Sequence, residues 1–107
     1  MFKIGYFQFN PNFGAIQSNL GQVLSALTDV MADIVVLPEL PFTGYYFRDR
    51  EELLHLAEEV NDSPTVESLK RFCQERSLHI VTGFAEKAAD KVFNSALMIG
   101  PGKIMQV

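Results

Sequence analysis

Apolar and polar positions follow two rhythms along this chain. Residues 2–8, "FKIGYFQ", form a short β-prone run of apolar and aromatic residues, and it stops at "NPNFG", residues 10–14, a cluster of turn formers. From Ala15 to Met31 the rhythm lengthens. Ile16, Leu20, Val23, Leu24, Leu27 and Met31 recur at steps of three and four, which predicts a helix with one buried stripe. "DIVVL", residues 33–37, is then a continuous apolar run, the pattern of a strand covered on both faces, and Pro38 and Pro41 stop it. Leu53, Leu54, Leu56 and Ala57 predict a short amphipathic helix between Arg50 and Val60, with an acidic outer face.

The second half starts with a clearer signal. Ser63 is placed as an N-cap, Pro64 falls in the first helical turn and Glu67 reinforces it, so a helix follows with Val66, Leu69, Phe72 and Cys73 on one face. "HIVTGFAE" and "VFNSALMIG" read as strands of a hairpin joined through "KAADK"; "GPGK" is a turn, and "IMQV" begins another strand. The order β-α-β-(α)-α-β-β predicts an α/β fold whose first two or three strands run parallel through helical crossovers, with an antiparallel pair added. In such sheets the functional crevice lies beyond the carboxyl ends of the parallel strands. Glu39 stands two residues past one of those ends.

Composition narrows the function classes. A formal net charge of −4, with nine Lys and Arg scattered and unclustered, excludes a surface built to neutralise nucleic-acid phosphates. One cysteine cannot form an internal disulfide, and no apolar run is long enough to span a bilayer, so the expectation is a soluble protein of the cytoplasm with no membrane partner.

Glu39 is the strongest candidate for chemistry. Two prolines stiffen the backbone around it, and Phe42, Tyr45, Tyr46 and Phe47 are near enough in sequence to wall off solvent. A carboxylate held rigidly in a partly apolar recess meets the conditions of a general base. Glu86 is a second-rank candidate that either lines the same crevice or is a solvated or hydrogen-bonded turn residue. Tyr45 and Tyr46 are open between core packing and substrate contact, with Tyr45 assigned to the pocket lining. Cys73 lies on the apolar side of a helix and reads as a core cysteine. Lys87, Lys91 and Lys103 sit on polar connections, where solvated charge is the default. His55 and His79 have no partner at ligand spacing, so no metal site is expected.

"VVLPELPFTGY", preceded by "KIGYFQFNPNFGAIQSNL" and followed by "HIVTGFAEKAADKVFNSALMIGPGKI", resembles the amino-terminal part of the nitrilase, or carbon–nitrogen hydrolase, superfamily, from the first strand to the last residue. The resemblance implies an α-β-β-α sandwich of which residues 1–107 form a single incomplete domain, leaving apolar sheet surface without cover. It implies hydrolysis of a non-peptide carbon–nitrogen bond in a small amide, N-carbamoyl amine or nitrile, without cofactor, by a homo-oligomer. Glu39 takes the place of the general base in a Glu-Lys-Cys triad, the lysine and nucleophilic cysteine falling beyond Val107. Asn94 matches a family position read as bonding to backbone and fixing the hairpin. The alternative is a catalytically inactive fragment or interaction module that retains part of the fold.

Overall fold

Five strands in the order β1-β2-β3-β4-β5 make one mixed sheet in the computed structural model, which describes residues 2–45 and 47–107. β1 (Ile4–Tyr6), β2 (Ile34–Val36) and β3 (His79–Ala88) are parallel; β4 (Lys91–Gly100) and β5 (Lys103–Gln106) continue antiparallel. Helix α1 (Ile16–Leu27) makes the first crossover, and α2 (Arg50–Leu56), a 3-10 turn (Val60–Asp62) and α3 (Pro64–Arg76) make the second. The expected α/β class and strand directions are thus present. Among the described residues no helix is long and apolar enough to cross a membrane.

Local chemistry accounts for the element ends. The Ser63 side chain accepts a hydrogen bond from the Val66 amide at 3.0 Å and Pro64 opens α3, as the sequence indicates. α1, by contrast, stops at Leu27, short of Met31. Thr28, Asp29 and Val30 are weak helix formers, and the Asp33 amide is taken up by the Lys3 carbonyl as the chain enters the sheet. α2 ends at Leu56 because Glu58 pairs with the β3 edge: its amide donates to Ala85, and the Lys87 amide donates to its carbonyl. The hairpin connection is also tighter than "KAADK" suggests, with β3 and β4 meeting at Ala89 and Asp90 alone and the Arg50 side chain donating to the Asp90 carbonyl.

The long helices of the two crossovers, α1 and α3, pack on the same face of the sheet. Leu20, Val23 and Leu27 of α1, and Val66, Leu69, Phe72 and Cys73 of α3, join Val35, Ile80, Phe84, Leu97 and Ile99 in one buried cluster. The opposite face is bare over most of its area. Register and alternation place Ile4, Tyr6, Val36, Val81, Ala96 and Met98 there, and Ile4 and Tyr6 are 67% and 78% exposed. "DIVVL" is therefore covered on one face only, since neither helix reaches the other. The fold is one sheet with one helical layer, the α-β half of a sandwich.

A second, smaller cluster of Leu40, Ala57 and Ala85, flanked by Phe47, Leu53 and Val92, covers the far end of the open face near the hairpin turn. Glu39 stands between this cluster and the bare surface.

Candidate active site

The loop leaving β2 is held by backbone contacts to two neighbouring segments, β3 and the turn at Gly14, before its side chains are considered. The Leu37 amide donates to Val81, and the Gly83 amide donates to the Pro38 carbonyl, so β3 guides the chain through the first proline. Glu39 then crosses onto the open face with its carbonyl directly over Gly83. A Cβ at position 83 would collide with that carbonyl, so only glycine permits the approach. Farther on, the Gly44 amide closes a turn to Leu40, and the Thr43 carbonyl accepts from the Gly14 amide. Gly44 has φ +80° with Phe13 packed on it, a conformation that favours glycine.

Asn19 fastens this loop to the one leaving β1. It lies fully buried in α1, where its side-chain amide donates to the Asn12 and Phe42 carbonyls, each at 2.8 Å, and its oxygen accepts from the Asn12 amide at 2.9 Å. Sequence reasoning passed over both Asn19 and Gly83. Each carries a signal: an amide inside the apolar stripe of a helix, and a glycine inside a strand.

The Glu39 carboxylate is exposed, and the Asn94 side chain donates to its Oε1 at 2.6 Å. Asn94 thus serves a side chain 55 positions away, where a backbone partner was expected. The apolar recess expected around Glu39 is not closed by nearby aromatics. Phe42 turns into the helix-side core, Phe47 meets Phe13 edge to face and Tyr45 is half exposed; Tyr46 lies outside the described residues. Shallow grooves flank the site, one along Tyr6, Val36 and Pro38, the other along Val81, Ala96 and Met98.

The remaining candidates are apart from Glu39. Glu86 shares a face with Phe84 and Ser95, opposite to Asn94, and accepts from the Ser95 hydroxyl at 2.6 Å; strand alternation separates the two carboxylates. Cys73 is fully buried with its thiol directed at the Ile99 carbonyl, and burial pushes its pKa up to about 11, the state of a packed thiol and not of a nucleophile. Lys91, Lys103 and His55 are exposed, while Lys87 and His79 are half-buried. Among the described residues no three metal-ligating side chains converge.

Comparison with known proteins agrees on one lineage. Residues 3–106 match the family model described as carbon-nitrogen hydrolase. A nitrilase of Pyrococcus abyssi is 35% identical over 104 residues, which are 94% of this chain and 40% of that protein. A protein N-terminal amidase of Saccharomyces cerevisiae is 29% identical over 92% of this chain and 23% of its own length. The crystal structure of an N-terminal amidase superposes with a TM-score of 0.87 at 26% identity, covering 97% of this chain and 26% of that one. A structure of N-terminal amidase with a Gln-Val peptide gives 0.84 at 27% identity, over 94% of this chain and 25% of that one. The chain therefore spans well under half the length of the relatives it matches.

Proposed function

The chain belongs to the carbon–nitrogen hydrolase family, and from that premise we propose that Glu39 is the general base of an enzyme that hydrolyses a non-peptide carbon–nitrogen bond. One observation carries the assignment. Glu39 stands just past the carboxyl end of β2 with its backbone carbonyl seated over Gly83, and its exposed carboxylate accepts from Asn94 at Oε1. In the whole protein its partners are a lysine and a cysteine outside these 107 residues.

Chemically, Glu39 accepts the cysteine proton as the thiolate attacks the amide or nitrile carbon, and the lysine stabilises the charge that develops on the substrate. For an amide, Glu39 gives that proton to the departing amine as the adduct collapses, and a thioester remains. Glu39, again ionised, takes a proton from the water that cleaves the thioester and passes it to the departing sulfur, which restores the thiol and the carboxylate. Tyr45, half exposed, is our candidate for lining the substrate groove, and Glu86, on the other face, has no part. The substrate class is a nitrile, a small amide, an N-carbamoyl amine or the side-chain amide of an amino-terminal Asn or Gln. The protein works as a homo-oligomer, and the 107 residues alone are inactive because they hold one member of the triad.

Assaying the full-length protein on a panel of those four substrate classes identifies the reaction. Glu39→Gln keeps the shape but cannot accept the proton, and it should lower turnover at least about a hundredfold with the fold intact. Near-normal turnover in that variant refutes the base assignment. A full-length protein with no activity on any class favours the inactive interaction module.

A further inference from the structure

We propose that Asn94 is a positioning residue for the Glu39 carboxylate, and that the β3–β4 hairpin is the template that sets the geometry of the base. The inference rests on the reading of Glu39 as the base. Two independent contacts carry it. β3 fixes the backbone, through the Gly83 amide to Pro38 and the close seat of the Glu39 carbonyl on Gly83. β4 fixes the side chain, through the Asn94 amide to Oε1 at 2.6 Å. Gly83 pairs with Ala96 and Ala85 with Asn94, so both anchors are neighbours on the same face of one ladder.

The side chain of Asn94 is not needed to build the hairpin. Its backbone is paired in the β3–β4 ladder, and the other residues of its face on β4 are Val92, Ala96 and Met98. A polar amide in that apolar row is accounted for by the carboxylate it meets. A neutral amide donor suits the task, because it orients one carboxylate oxygen and leaves the other free to receive the proton. A hydrogen bond to a charged group in this position acts on the reactive form of the base, so its loss should register in turnover before it registers in substrate binding.

The test uses the full-length enzyme with its best panel substrate. Asn94→Ala should lower kcat about tenfold or more with KM changed less than about twofold and an unshifted thermal midpoint. Asn94→Asp, nearly isosteric, places one carboxylate against another and should lower kcat further; it also serves if the alanine variant folds poorly. In a Glu39→Gln background, Asn94→Ala should add little loss, because the group it positions is gone. Unchanged kcat in both Asn94 variants, or the full tenfold loss repeated in the Glu39→Gln background, overturns the positioning role and leaves the base assignment standing. Wild-type turnover in Glu39→Gln itself overturns the base, and this inference with it.

Discussion

The two faces of the sheet are built from adjacent residues and have opposite properties. On β2, Val35 points into the helix layer and is 1% exposed, while Val36, one residue on, is 38% exposed on the bare face. The helix-side face is continuous apolar packing of the kind that makes a chain fold. The open face holds the one engaged carboxylate of the candidate site, set at the edge of an apolar surface. Chemistry is placed where packing is incomplete, and the packed face supplies the rigidity.

The sharpest way to break this contrast is to truncate the two neighbours in turn within the 107 residues. Val35→Ala leaves a cavity under both helices and should cost about 2 kcal/mol by denaturant unfolding, whereas Val36→Ala should stay within about 0.5 kcal/mol. Equal costs would show that the open face is covered in solution by self-association, and sedimentation at several concentrations would then reveal it. In the full-length enzyme the Val36 cost should rise toward that of Val35.

A smaller effect probes the packed side through Cys73. Cys73→Ala should cost about 1 kcal/mol and leave full-length turnover close to normal. The thiol pKa is raised from the ordinary 9.0 to about 11 by burial. A raised folded-state value means that the neutral thiol stabilises the fold fully below pH 9, and that this contribution is lost as pH rises toward 11. The Cys73→Ala penalty should therefore shrink over that window, and native-state alkylation at pH 8 should be slow. Rapid alkylation without unfolding would contradict the packing described.

The smallest effect lies at the hairpin tip. Ala89 is exposed with φ +57°, a left-handed conformation that a Cβ disfavours. Ala89→Gly should stabilise by about 0.5 to 1 kcal/mol and leave kcat unchanged, because the tip is remote from the Gly83 and Asn94 anchors. A turnover change in that variant would mean that the template extends to the turn.

Much of this arrangement was legible in the sequence. The Ser63-Pro64 start of α3, the parallel opening strands and the place of Glu39 after β2 all follow from local signals, namely capping chemistry, apolar rhythm and proline punctuation. What local signals could not supply was which side of each strand is covered, because that depends on α1 and α3 choosing one face. The partner of Asn94 was equally out of reach, since contacts 55 residues apart leave no periodic trace. Gly83 was visible as an anomaly within a strand, but the carbonyl that requires it belongs to another segment. Likewise, the apolar recess predicted from Phe42, Tyr45, Tyr46 and Phe47 assumed that residues close in sequence would surround the carboxylate. Phe42 instead found deeper burial on the other side of the sheet.

Asn19 has a consequence for the order in which the molecule comes apart. By joining the Asn12 and Phe42 segments to the buried face of α1, it removes the independence that surface loops ordinarily have. The two loops nearest Glu39 belong to the cooperative unit of the core, and local fraying that spares α1 cannot release them. Their amides should exchange with solvent on the timescale of helix unfolding, and the candidate base loses its setting only when the core itself opens.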